Sequence, residues 1–171
     1  SLLIFLYWFS SKLALRVFVQ NKDDYVYFNE SLKLPKSKLD LLPGSGVNLE
    51  EFFHTPVASV GTGSTLRLGF FSRLLDEKGI RLLIESVRDL HLIHSIELVI
   101  AGQFDLNREG AVSISEVRAW ESQLPVTYLG SLKDVRQAIS SCHCVVLPSY
   151  YPEGTPRVLI EALSIGRAII T

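Results

Sequence analysis

The chain has 171 residues, 47% of them apolar and 20% charged, with a formal net charge of −1 at pH 7. That composition supports a buried core and excludes a disordered chain, and the near-zero charge leaves no bulk field to attract nucleic acid or anionic lipid. The length fits one ordinary domain, or one domain and part of another. Cys142 and Cys144 sit too close in a strand-like run to form a useful staple, and the ligands that would complete a metal site are absent, which favours a reducing compartment.

The chain opens on SLLIFLYWF, whose uncharged run from Leu2 to Phe9 is far short of the ~20 residues a spanning helix needs. Ser10, Ser11, Lys12 and Arg16 then interrupt it, and neither a basic n-region nor a cleavage site marks a signal peptide. A buried or surface-lying amphipathic helix is expected there. RVFVQ reads as a strand, the residues from Asp23 as a short helix, and the stretch into LLPG as a second strand. Val57 to Ser64, VASVGTGS, is small and Gly-rich, as a linker or surface loop would be. The chain lacks Met altogether and stops at AIIT, inside what reads as a strand, so it is expected to be a fragment.

From Thr65 onward the pattern alternates. TLRLGFF is a strand, and KGIRLLIESVRDL an amphipathic helix with apolar residues at Ile80, Leu83, Ile84 and Val87. IELVIAG is a strand, 103–112 a polar loop, 113–123 a helix and VTYLG a short strand. DVRQAISSC reads as a helix with Ser131 as its N-cap, CVVLP as a strand, PRVLIEALSIG as a helix and AII as the last strand. Strands alternating with helices argue for a parallel sheet with crossover helices, and the continuous apolar runs LVIA and CVVL suit a sheet covered on both faces. Ligands of such sheets bind beyond the carboxyl ends of the strands. The residues there are Ser72 to Gly79, Gly102 to Asp105, Gly130 to Ser131, and Pro148 to Pro156.

The densest constellation is PSYYPEGTPRVLIEAL, residues 148–163. Pro156 suits a first helical turn, where its missing N–H costs nothing, and Gly154 and Thr155 place backbone N–H groups at the helix N-terminus, a ready anion site. Glu153 stands just outside that end, and Glu161, eight residues on, interrupts an otherwise apolar helix. On spacing alone these are either functional carboxylates or structural ones, with Glu153 favouring the positive helix end and Glu161 pairing with Arg157. In FFSRLLDEKG, Arg73 follows the first strand and Lys78 stands at the entry to the next helix, where a planar fork and a point charge suit a diphosphate. The alternative is a solvated turn in which Arg73 or Lys78 pairs with Asp76 or Glu77.

In order along the chain, these segments resemble one family. P-S-x-x-x-E-G-T-P-R-x-L-x-E-A-L-x-x-G-R is similar to the paired-glutamate (E-x7-E) signature of retaining glycosyltransferases with the GT-B fold, glycosyltransferase family 4, group 1. FFSRLLDEKGI resembles that family's G-R-L-x-x-x-K-G turn, PGSGVNLEEF the segment entering its C-terminal domain, and VQNKDDYVYF the end of its N-terminal domain. LVIAGQFDLN and VTYLGSLKDVRQAI fill the remaining slots, and the style is nearest to bacterial enzymes that extend lipid-linked polysaccharide or lipopolysaccharide sugars.

The resemblance implies an α/β fold. Residues 44–171 would form the Rossmann-like, doubly wound parallel sheet of a nucleotide-sugar-binding domain, incomplete at its C-terminus, and residues 1–43 the tail of an acceptor-binding domain. By the same resemblance, Arg73 and Lys78 hold the donor diphosphate and Glu161 accepts hydrogen bonds from the ribose hydroxyls. Glu153, the catalytic candidate, contacts the donor sugar near the reacting carbon. Gly154, Thr155 and Pro156 shape the backbone approach, and Gly130 and Ser131, next to Tyr128, border the base. No cofactor or metal is implied, because the nucleotide-sugar is itself a substrate. The expected partners are a UDP-linked donor and a glycan or lipid-linked acceptor, without nucleic acid, in the cytoplasm or at the inner face of the cell membrane. The reaction would be hexosyl or N-acetylhexosaminyl transfer with retention, and the chain alone is expected to be inactive. Two departures stand out: Ser72-Arg73 where the family often has Gly-Arg, and His143 where Asp is common. His143 reads as a buried or strand-edge residue. A nucleotide-sugar epimerase of the same architecture and a non-catalytic nucleotide-binding module are the alternatives.

Overall fold

The computed structural model describes every residue except Ser1, Pro43, Val60, Thr62 and Pro152. The chain separates into two compact units, residues 1–46 with 152–157, and residues 47–151 with 158–171. The boundary expected at 43/44 falls at Pro43, and part of the loop expected over 57–64 falls at Val60 and Thr62, all outside the described residues.

The first unit opens on α1 (Leu2–Leu13), where Leu2 to Phe9 are all exposed and Ser11 is the buried residue. Lys38 donates to the carbonyls of Lys12 and Ala14, both at 3.0 Å, so a cation meets the negative end of the helix. β1 (Val17–Val19) and β2 (Leu39–Leu41) pair in parallel. Between them Asn21 caps the short helix α2 (Lys22–Val26) by accepting the Asp24 N–H at 2.7 Å. Val19, Leu34 and Leu39 form the core of this unit.

The second unit carries the expected alternation. β3 (Leu66–Phe71), β4 (Ile96–Ala101), β5 (Val126–Tyr128), β6 (Cys144–Val146) and β7 (Ala168–Ile170) form one parallel sheet in the order β5-β4-β3-β6-β7. The chain winds outward from β3 to β5 and returns to β6 beside β3, so this is a Rossmann-like, doubly wound sheet with its switch point between β3 and β6. α3 (Ile80–Leu90) buries Ile80, Leu83, Ile84 and Val87, the stripe its sequence displays. α4 (Ile114–Gln123) starts at a reciprocal capping box between Ser113 and Glu116. α5 (Arg136–Ser140) and α6 (Arg157–Ile165) complete the helices.

Ser131 does not cap α5, contrary to expectation. The helix begins later, after Val135, and Asp134 takes the Arg136 N–H at 3.0 Å instead. Two other expectations hold. Cys142 and Cys144 are buried free thiols whose pKa burial pushes up, and half-buried His143 sits just before β6, its Nδ1 accepting the Arg67 N–H at 2.9 Å.

Candidate functional site

A cleft of about 280 Å³ opens at the carboxyl ends of β3, β4 and β5 in the second unit. Phe71, Ser72 and Arg73 line it from the end of β3, and Ala101, Gly102 and Gln103 from the end of β4. Ser131, Leu132 and Val135 close a third side, and Val158 and Glu161 face it from α6. Arg73 and Glu161 are its charged lining residues, one half-exposed and the other only 7% exposed. The cleft thus presents a planar cationic fork and a buried carboxylate to one space, which suits a ligand with both phosphate and hydroxyl groups.

The strand ends are held together by close backbone approach. A Cβ on Gly102 would lie 1.7 Å from the Ser72 carbonyl oxygen, so no other residue fits where these two turns cross. The Gly102 N–H donates to the Gly130 carbonyl at 2.9 Å, and the Tyr128 hydroxyl to the Gly102 carbonyl at 2.7 Å. Burial, then the nearby Glu121 charge, raises the Tyr128 phenol above its ordinary pKa, which keeps it the donor. Gly130 therefore stands beside the cleft, bonded to its rim, while Ser131 lines it.

Lys78 lies outside the residues that line the cleft. It sits in a short 3-10 turn (Asp76–Lys78) that leads through Gly79 into α3, is 6% exposed, and has its ammonium 5.7 Å from the centre of the Tyr151 ring. Gly79 follows in the left-handed region (φ +76°), with the Pro148 carbonyl where a side chain would begin. The Tyr150 N–H donates to the Glu77 carbonyl at 3.1 Å and its hydroxyl to Asp76 at 3.1 Å, so the turns after β3 and β6 are tied together.

The alternative pairing of Arg73 or Lys78 with Asp76 or Glu77 is not what Arg73 does. Its guanidinium faces Asp105 at 3.6 Å, whereas Asp76 pairs with Arg81 at 3.4 Å and Glu77 with Arg108 at 3.2 Å. The reason is tertiary, since the loop after β4 folds back along the turn after β3. Gln103 and Asp105 fall among the strand-end residues that the sequence singles out, yet nothing in their spacing gives them a role. Val135 falls inside the helix expected over 134–142 and Leu132 between Ser131 and that helix, outside the strand-end residues that the sequence singles out.

The motif residues just before α6 have different surroundings. Glu153 and Gly154 line a separate cavity of about 530 Å³ within the first unit, with Tyr7, Phe18, Asn21, Asp24 and Tyr27. A Cβ on Gly154 would lie 2.6 Å from that of Gln20. Thr155 is exposed and Pro156 half-buried, immediately ahead of Arg157, the first residue of α6. Arg73, Ser131 and Glu161 share the cleft, Glu153 and Gly154 share the other cavity, and Lys78, Gly130, Thr155 and Pro156 line neither.

Comparison with known proteins agrees with this architecture. Over 174 aligned residues the chain is 28% identical to the N,N'-diacetylbacillosaminyl-diphospho-undecaprenol alpha-1,3-N-acetylgalactosaminyltransferase of Campylobacter jejuni, covering 96% of this chain and 44% of that protein. Among solved structures, Anabaena Alr3699/HepE in complex with UDP superimposes with a TM-score of 0.72 at 19% identity, over 94% of this chain and 45% of the other. Sucrose-phosphate synthase from Thermosynechococcus elongatus gives a TM-score of 0.69 at 22% identity, over 97% and 42%. At these identities the structural likeness is one of fold, and the chain spans less than half the length of each of these relatives. The profile described as "Glycosyl transferases group 1" matches residues 65–171, the stretch from the first strand of the sheet to the last, and the chain belongs to that family.

Proposed function

We propose that this chain carries the donor-binding part of a retaining, family 4 glycosyltransferase with the E-x7-E motif. Its substrate would be a UDP-linked hexose or N-acetylhexosamine, and its acceptor a growing, lipid-linked bacterial glycan at the cytoplasmic membrane face. The observation that carries the reading is the convergence of Arg73, Ser131 and Glu161 on one cleft beyond the strand ends. In this reading Arg73 stabilises the charge that builds on the leaving diphosphate, and Glu161 takes the ribose hydroxyls. Lys78 assists as a second cation from the adjoining turn, so the step needs no metal. Gly130 and Ser131 border the base. Glu153, with Gly154, Thr155 and Pro156, is assigned to the donor sugar by its place in the motif. Residues 1–43 are assigned to the acceptor domain, and transfer requires that domain in full.

The lipid-linked acceptor rests on the Campylobacter relative, whose name describes a diphospho-undecaprenol substrate. Calorimetric titration of UDP into the folded 171-residue chain tests the donor site. Saturable binding is expected, unchanged by EDTA and weakened roughly tenfold or more in Arg73→Ala and Glu161→Ala, as loss of a charge-assisted hydrogen bond predicts. A folded chain that binds no UDP, or binds it equally well in both variants, overturns the donor site.

A further inference from the structure

Arg73 already has an anionic partner, supplied by the loop after β4. Its guanidinium stands 3.6 Å from the Asp105 carboxylate. The facing of these two residues is fixed by backbone. The Leu74 N–H donates to the Gln103 carbonyl at 3.0 Å, the Ser72 N–H to the Ala101 carbonyl at 3.1 Å, and the Asp105 carbonyl accepts the Arg108 N–H at 2.9 Å. Another ion pair joins the two segments, Arg108 to Glu77 at 3.2 Å, and next to it Arg81 of α3 pairs with Glu116 of α4 at 3.0 Å and with Asp76 of its own preceding turn at 3.4 Å. The pair that Arg73, a residue of the cleft lining, makes with Asp105 is longer than each of these, and its side chains are 46% and 38% exposed. An ion pair this open to water contributes little to stability and yields readily to a stronger partner.

We infer that Asp105 is a built-in counter-anion for Arg73, displaced when a phosphate group enters the cleft, and that it thereby sets how strong an anion must be to bind there. This rests on the donor-site reading of Arg73. A diphosphate offers more than one charge and oxygens on several sides, so it outcompetes a single carboxylate at 3.6 Å. A neutral nucleoside has nothing to exchange for Asp105. The carboxylate therefore tunes phosphate affinity downward without touching the rest of the ligand. Its effect has a sign opposite to that of a residue that orients Arg73.

The test compares the unaltered chain with Asp105→Asn and Asp105→Ser by calorimetry, using UDP, inorganic pyrophosphate and uridine as probes. Circular dichroism and the thermal midpoint check that each variant is folded. Both substitutions are expected to tighten UDP and pyrophosphate by about two- to fivefold, the range for an exposed ion pair, and to leave uridine unchanged. Weaker or unchanged pyrophosphate binding in both folded variants overturns the inference, as does an equal shift for uridine, because Asp105 would then be orienting Arg73 or shaping the cleft. If pyrophosphate binds and UDP does not, the donor reading fails while pyrophosphate still reads the role of Asp105. Where neither ligand binds any of the three chains, both ideas fall.

Discussion

Two helices show why an apolar sequence does not by itself bury a surface. α3 confines Ile80, Leu83, Ile84 and Val87 to one stripe and buries all four against the sheet. α1 is richer in apolar residues, yet Leu2 to Phe9 stand 42–74% exposed among the described residues. A stripe needs one partner surface, whereas a helix apolar on every side needs partners on every side. The units differ in the same way. The core of the second runs from Phe52 to Ile165 through every strand but β7, and that of the first is Val19, Leu34 and Leu39 with a few half-buried neighbours.

Matched truncations would break or sharpen this contrast. Phe70 in β3 has no exposed surface, and Phe5 on α1 is 56% exposed with its ring near those of Trp8 and Phe9. Phe70→Ala is expected to cost about 3–5 kcal/mol of unfolding free energy, measured from the shift in urea midpoint. The chemically identical Phe5→Ala should stay within about 0.5 kcal/mol. Comparable losses at the two sites would mean that the apolar face of α1 is held as firmly as the interior of the sheet.

A buried cation gives the next largest effect. Arg167 is 2% exposed, and its guanidinium donates to the carbonyls of Thr55 (2.8 Å), Ser140 (2.7 Å) and Ile165 (3.2 Å) and to the Thr55 hydroxyl (2.7 Å). Ser140 and Ile165 end α5 and α6, so one charge meets two negative helix ends. Burial draws its pKa down, but an arginine remains protonated. Arg167→Leu removes this donor from the half-buried Thr55 and Ser140 carbonyls, while the Ile165 carbonyl keeps the Thr55 N–H, and about 2–4 kcal/mol should be lost in thermal or urea unfolding. A neutral outcome would mean that the 55–56 segment moves to let water in.

Much of the second unit was legible because its periodicities are clean. The stripe of α3 and the continuous apolar β4 each follow from local chemistry. What escaped was tertiary. Ser131 resembles an N-cap, but Asp134 takes the helix start by bonding the Arg136 N–H, which leaves Ser131 at the cleft. Arg73 has Asp76 and Glu77 close in sequence, but Gly102 lets the next turn cross close by and bring Asp105 instead. Glu153 and Glu161 are tied by motif spacing, yet spacing carries no sign of Gln20 pressed against Gly154.

The smallest expected effect tests whether the second unit draws stability from its surface charges as well as its interior. Burial alone would raise the Glu116 pKa, but the Ser113 N–H and hydroxyl, both at 2.8 Å, and the Arg81 guanidinium outweigh it and hold the carboxylate below its ordinary value. A carboxylate lowered in the fold stabilises it above the unfolded pKa, near 4.5, and that contribution disappears as pH falls through the folded value. Gln can still accept the Ser113 N–H, so Glu116→Gln removes mainly the charge. With the side chain 37% exposed, water screens the pair, and the loss at pH 7 should be about 0.5–1 kcal/mol. Urea midpoints at pH 7 and near pH 3 should show the gap between wild type and variant closing as the carboxylate protonates. A gap of constant size would assign the loss to packing around Arg81, and the surface ion pairs would then serve to align the strand-end loops rather than to stabilise the fold.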